Sequence, residues 1–204
     1  MSTSSKNDIM IRLKEPVWSK KSLVVEPLLD MDDQLGPSSV DLRLGYEFIV
    51  FRRSMFDTLD LKDIVEDGEY SKYYHRVRLG NNEDLVLHPR QLILGSTFEF
   101  VKIPNDTNAS VLSKSTWGRM GLLIATATNV DPGFRGCITL ELVNMGEVPI
   151  KLRPGLRIAQ LLLHTLSESE DVIYSGKYIS PVGPEFPKFS KMQYKNDWKY
   201  FYKL

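Results

Sequence analysis

The stretch SKSTWGRMGLLIATATNVDPGFRGCITLELVN, residues 113–144 of a 204-residue chain, decides how the rest is read. Its second half has the pattern of a strand. Between Cys137 and Asn144, Ile138, Leu140 and Leu142 alternate with Thr139, Glu141 and Val143. Glu141 is thereby placed on the face opposite the main apolar stripe. Asp131-Pro132-Gly133 just before it is a strong turn signal, because proline sets φ and glycine is free to take φ > 0. The first half, SKSTWGRMGLL, lacks the period-two pattern and opens on Ser, Lys, Ser and Thr. A short helix capped by Ser113 or Ser115 is expected there. Free N–H groups at such a helix start, with Lys114 beside them, suit an anion. Ser115 and Arg119 are four apart and would share one helical face. Taken singly, each feature also has an ordinary reading: a capped surface helix, a bend, and a solvated glutamate on a strand.

The flanking segments read as β scaffold. In SVDLRLGYEFIVF (39–51), Val40, Leu42 and Leu44 alternate with Asp41, Arg43 and Gly45, as in one half-buried strand. DLVLHPRQLILGSTFEFVKIP (84–104) reads as two short strands around His88-Pro89, with His88 structural rather than catalytic. IKLRPGLRIAQLLLHTL (150–166) and DVIYSGKYI (171–179) continue the short strands broken by Gly or Pro. Such spacing predicts an all-β fold, a β-barrel or double-sheet jelly roll with one or two short helices. A single domain over 1–204 is expected. Residues 1–22 form a variable start, loosely ordered or a short helix. Residues 52–86 read as a charged insertion whose Tyr-rich middle suits an exposed hairpin. Residues 185–204 form a tail of lysines and aromatics that packs on a neighbouring subunit, covers a pocket or stays solvated.

Composition narrows the chemistry. Lys+Arg and Asp+Glu both number 26, which argues against polymeric DNA or RNA as the partner but leaves room for a local phosphate pocket. One cysteine, Cys137, rules out a disulfide framework and a cysteine-based zinc site within the chain. His75, His88 and His164 lie far apart without ligand spacing. No apolar signal core opens the chain and no apolar run has the length to span a membrane, so a soluble cytoplasmic protein is expected.

Taken together, the motifs become specific. S-K-S-T-x-G-R-M-G-L, D-P-G-F-R-G-C-I-T-L-E-L-x-N, L-R-P-G-L-R-I-A-Q-L and Y-S-G-K-Y, preceded by P-S-S-V-D-L-R-L-G and L-H-P-R-Q-L-I-L-G-S-T, resemble the dCTP deaminase family. The resemblance runs in order over roughly residues 23–184. It implies the distorted β-barrel shared with the trimeric dUTPases, and a deaminase that uses no zinc. It also implies that Glu141 is general base and acid, taking a proton from the water that attacks cytosine C4 and passing protons to the departing ammonia. Ser115 and Arg119 would hold the water and polarise the base, Arg119 across a subunit boundary, with the backbone near Ala127 helping to place the water. Lys114, Ser115 and Thr116 would meet the phosphates, Asp131 the deoxyribose, and Thr139, Leu140 and Glu141 the base edge. Gln160, Tyr174 and Lys177 would complete the nucleotide shell. Mg²⁺ would arrive on the triphosphate. A homotrimer and feedback by dTTP follow from the same resemblance.

Chemistry supports that division of labour. Without a metal, a positioned carboxylate must deprotonate the water, and a cation with oriented dipoles must stabilise charge on the ring. One departure stands out, because Pro181 occupies the place where the family usually carries a phosphate-contacting glutamine, and proline has no N–H to offer. Three other activities compete with simple dCTP deamination. They are a bifunctional deaminase that also cleaves dUTP to dUMP, with Asp131 or another acid serving a second water; a dUTPase alone; and a non-catalytic nucleotide-binding trimer.

Overall fold

The structure is a computed structural model that describes residues 2–52, 58, 72–125, 129–167, 174, 176–178 and 180–188. Most of residues 53–71, Ala127 and the tail from residue 189 lie outside these. Two long strands form its centre. β7 (Leu92–Lys102) and β11 (Arg135–Asn144) run antiparallel, from Arg135 opposite Lys102 to Val143 opposite Leu92. The register shifts between Cys137 and Thr139, where the Thr97 hydroxyl accepts the Ile138 N–H at 2.9 Å. Such a bulge re-aims the side chains beyond it. From Leu140 to Asn144 every second residue is buried, so the alternation read in the sequence is the alternation of the folded strand.

Around this pair a six-stranded sheet is ordered β5 (Tyr74–Arg78), β4 (Glu47–Phe51), β7, β11 and β9 (Leu122–Ile124), with β2 (Val24–Glu26) also on β7. A second sheet is ordered β1 (Ser2–Thr3), β13 (Arg157–Thr165), β8 (Thr107–Ser113) and β10 (Asn129–Val130), with β3 (Ser39–Arg43) also on β13. β6 (Leu85–Leu87) and β12 (Ile150–Leu152) pair separately. One apolar cluster draws on both main sheets, including Leu42, Phe48, Ile93, Val111, Leu140, Leu142, Ile158 and Leu161. Full burial of each such side chain stabilises by about 1.5–3 kcal/mol. The architecture is the double-sheet alternative; the sheets do not close into a barrel.

Several local expectations are corrected. Residues 39–51 form two strands, not one: β3 joins β13 and β4 joins β7, so the chain changes sheets between Leu44 and Tyr46. Gly45 permits the crossing, since a Cβ there would lie 3.1 Å from the Ser96 carbonyl oxygen. β7 is 11 residues long rather than a short strand, because β2, β4 and β11 all pair along it. The Tyr-rich segment is not an exposed hairpin at Tyr73 and Tyr74: both are buried, beside Ile49 and Leu94, where β5 joins the sheet.

Three short helices occur among the described residues, against an expected one or two. α1 (Lys6–Lys14) starts at a reciprocal capping box between Ser5 and Asp8 and buries Ile9. α2 (Met31–Gln34) is capped by Asp30, and α3 is Ser115–Arg119. The N-terminal region is fastened by a buried ammonium: Lys102 Nζ donates to the carbonyls of Val17 (2.6 Å) and Ser19 (2.7 Å) and to Ser22 Oγ (2.6 Å). Burial lowers the Lys102 pKa, and the positive charge of Arg135 adds to this. Glu99 is fully buried, accepts from the Arg43 backbone N–H at 2.7 Å, and has its pKa raised by that burial. No helix among the described residues is long and apolar enough to cross a membrane.

Candidate active site

The outer face of β11 forms the floor of a cavity of about 300 Å³. Thr139 and Glu141 project into it because they occupy the strand face opposite buried Leu140 and Leu142. Burial raises the Glu141 pKa above that of an ordinary carboxyl. Asp131, Phe134 and Tyr174 add a wall. The 131–134 turn closes with the Phe134 N–H donating to the Asp131 carbonyl at 3.1 Å. Tyr174 is tied to it by its own N–H to the Pro132 carbonyl at 3.3 Å, with its ring 5.8 Å from that of Phe134. Cys137 also lines the cavity, and burial pushes its thiol pKa up, with the Glu99 charge adding to the effect.

The opposite wall comes from the chain after residue 180. The Ser180 N–H donates to the Arg135 carbonyl at 3.0 Å, the Cys137 N–H to the Pro181 carbonyl at 2.7 Å, and the Glu185 N–H to Thr139 Oγ1 at 3.1 Å. This segment therefore lies along β11, and Pro181, Glu185 and Pro187 line the cavity. Arg76 holds its far end, donating to the Pro184 carbonyl at 3.0 Å with the guanidinium 4.8 Å from the Phe186 ring centre. Pro181, which offers no N–H, serves here as a carbonyl acceptor and a wall.

Asp131, Thr139, Glu141 and Tyr174 are thus brought together, with Leu140 buried beneath them. Lys114, Ser115, Thr116 and Arg119 do not line this cavity. Ser115 and Arg119 fall at the two ends of α3, and Ser115, Thr116 and Arg119 are exposed. The expected serine cap is corrected: Lys114 is the N-cap residue and makes no side-chain cap bond. Ser113 is still part of β8, and its hydroxyl accepts the Ile124 N–H at 2.8 Å across to β9. The Lys114 ammonium pairs with Asp41, a carboxylate that also lies 3.6 Å from Arg157 Nη1. Gln160 sits between Asp41 and Leu112 in register on β13, outside the cavity. Lys177 is exposed and donates to the Lys188 carbonyl at 3.2 Å. Ala127 lies outside the described residues, but Ala125, two positions earlier, donates its N–H to the Glu141 carbonyl at 2.8 Å.

Among the lining residues that the sequence reading did not name as site residues are Asn129, Tyr178, Glu185 and Pro187. Asn129 and Tyr178 lie within two and four residues of Asp131 and Tyr174, so proximity was an available signal. Glu185 and Pro187 had none, because they reach the cavity through pairing with a strand more than forty residues earlier.

Comparison with known proteins identifies the family. Residues 7–166 match the family model described as dCTP deaminase-like. The chain is 41% identical over 183 residues to a dCTP deaminase of Halorubrum lacusprofundi, covering 87% of this chain and 86% of that protein. It is 39% identical over 172 residues to a protein of Methanobrevibacter smithii named dCTP deaminase, dUMP-forming, covering 80% and 85% respectively. Among solved structures, 2′-deoxycytidine 5′-triphosphate deaminase from Agrobacterium tumefaciens superposes with a TM-score of 0.59 at 24% identity. That match covers 80% of this chain and 48% of the other, so this chain spans about half of that one's length. At that identity the likeness is one of fold.

Proposed function

This chain belongs to the dCTP deaminase-like family, and from that premise we propose that it hydrolyses the cytosine amino group of dCTP, giving dUTP and ammonia. The observation that carries the proposal is Glu141: a carboxyl on the cavity floor whose burial raises its pKa, as a proton carrier near neutral pH requires. Ionised Glu141 removes a proton from water as the oxygen attacks C4. It then returns that proton to the exocyclic nitrogen, which leaves as ammonia, while the second water proton passes from the C4 hydroxyl to N3 as the C4 carbonyl forms. Thr139 and the backbone of Leu140 and Glu141 read the base edge, and Asp131 receives the sugar hydroxyl. Tyr174 completes the shell of this cavity; Lys177 reaches the nucleotide once released from the Lys188 carbonyl, and Gln160, outside its own chain's cavity, contributes from a neighbouring copy.

A triphosphate and a ring that gains negative charge both require cations. α3 carries Ser115, Thr116 and Arg119 and has Lys114 at its N-cap, yet these do not line their own chain's cavity. We therefore place α3 of a second copy at the cavity mouth, in a homotrimer. Arg119 and Ser115 then stabilise the attacked base and hold the water, and Lys114 exchanges its Asp41 partner for phosphate. Mg²⁺ belongs to the substrate, bound through the triphosphate oxygens. dTTP, which has the same sugar and phosphates, is proposed as a feedback inhibitor. The setting is the cytoplasmic deoxynucleotide pool, and residues 1–204 act as one folded unit.

One observation favours a second reading. Relatives of nearly equal identity carry both names, dCTP deaminase and the dUMP-forming form. The test is to incubate the protein with dCTP, CTP and dUTP plus Mg²⁺ and to separate ammonia, dUTP, dUMP and pyrophosphate. Ammonia and dUTP from dCTP support the proposal, and added dUMP and pyrophosphate support the bifunctional form. Absence of ammonia from dCTP overturns both.

A further inference from the structure

Asp131 is not simply left at the cavity rim. Asn129 Nδ2 donates to Asp131 Oδ1 at 2.9 Å, and Asn129 Oδ1 accepts from Asn108 Nδ2 at 2.8 Å. Strand geometry explains the contact. Asn129 lies opposite Ser110 in the β10–β8 register, and Asn108 is two residues from Ser110, on the same face. Asn129 and Asp131 are also two apart, while Val130 and Ala109 between them are buried on the other side. All three polar side chains therefore share one surface, and two of them, Asn129 and Asp131, line the cavity.

The chain of bonds has a direction. Asn129 can present its NH₂ to Asp131 only while its carbonyl faces Asn108. Asn108 holds that orientation against its own satisfaction, since its Oδ1 is buried with no hydrogen-bond partner among the described residues. The bond to Oδ1 fixes the plane of the Asp131 carboxylate, and Oδ2, which accepts no hydrogen bond among the described residues, is open to a ligand hydroxyl.

We propose that Asn129, oriented by Asn108, is a positioning residue that aims the Asp131 carboxylate at the 3′-hydroxyl of the sugar and so sets selectivity for a hydroxylated deoxyribose. This rests on the deaminase reading. It does not make Asn129 a catalytic residue, because it acts through Asp131.

The test compares dCTP with 2′,3′-dideoxycytidine triphosphate, which lacks only that hydroxyl. In the full-length protein, Asn129→Ala should raise KM for dCTP about fivefold to tenfold, as loss of one oriented charge-assisted bond would, and shift the inhibition constant of the dideoxy analogue by less than about twofold. Asn108→Asp supplies a polarity check. A carboxylate at 108 only accepts, so the Asn129 amide turns over and points its carbonyl at Asp131. Asn108→Asp should therefore raise KM for dCTP more than Asn108→Ala does. A structural role alone would move both ligands together and would not give that order. Equal shifts for the two ligands, or Asn108→Ala as damaging as Asn108→Asp, overturn the relay. An unmodified protein that turns over dCTP but does not distinguish it from the analogue also overturns it. An unmodified protein that releases no ammonia from dCTP overturns the deaminase reading itself, and the relay with it.

Discussion

Replacing Gly136 with alanine tests whether the segment after residue 180 is a working wall of the cavity. Gly136 has a φ of +142°, and a Cβ there would press on Pro181 Cδ while lying 2.8 Å from Cγ and N of the same ring. The backbone strain alone costs about 1–3 kcal/mol. β11 has little freedom to yield, because Gly136 pairs with Val101 inside the ladder to β7. The segment must move instead. It would give up the bonds Ser180 N–Arg135 O (3.0 Å), Cys137 N–Pro181 O (2.7 Å) and Glu185 N–Thr139 Oγ1 (3.1 Å). At about 0.5–1.5 kcal/mol each, their loss amounts to about 1.5–4.5 kcal/mol. That is a fall of about 10- to 2000-fold in the docked population. Hydrogen exchange reads this directly: the Cys137 amide should lose protection by that order, while amides in the β11–β7 ladder beyond the bulge keep theirs. KM for dCTP should rise in step, since Pro181 and Glu185 line the cavity. Undiminished protection at Cys137 together with an unaltered KM would refute the reasoning.

Two further predictions concern the proposed chemistry. Glu141→Gln should lower ammonia release from dCTP by about 10²–10⁴-fold while nucleotide binding persists; undiminished turnover would sink the assigned role. Burial raises the Glu141 pKa above its ordinary 4.5, so activity should fall as pH drops through the raised value. Stability runs the other way, since the folded chain keeps this proton to a higher pH than the unfolded chain. The group's stabilising share is complete below about 4.5 and is lost as pH rises through the folded-state pKa. Calorimetry should therefore find the Gln variant with the higher Tm at neutral pH and the difference closing in acid; a lower Tm at neutral pH contradicts it. Finally, Arg119→Ala and Glu141→Gln chains, each impaired alone, should regain about a quarter of parental activity when refolded together in equal amounts, if each site draws one residue from each of two copies. No recovery would place Arg119 and Glu141 in one chain's site.

What the chain alone determined is the local chemistry of residues 113–144. The face occupied by Glu141, the turn at Asp131–Gly133 and a helix containing Ser115 and Arg119 all follow from rules that act within a few residues: alternation, turn propensity and helical spacing. The ordered motifs around them were enough to point to the family. The cap was misread because Ser113 is committed to β8, and that commitment depends on β13 and β9. The insertion was misread at Tyr73 and Tyr74 because their burial is decided by the sheet edge they join.

Only the tertiary structure decided which residues share a cavity. Register over long separations brings Tyr174 to Pro132, Glu185 to Thr139 and Asn108 to Asn129, and it ties Lys114 to Asp41. None of these pairs has a periodic or compositional signal. Each exists because a backbone ladder elsewhere holds two distant segments at hydrogen-bonding distance. The same fold leaves Lys114, Ser115, Thr116 and Arg119 out of the lining of their own chain's cavity, which is the physical reason for seeking the cations of the site on a neighbouring copy.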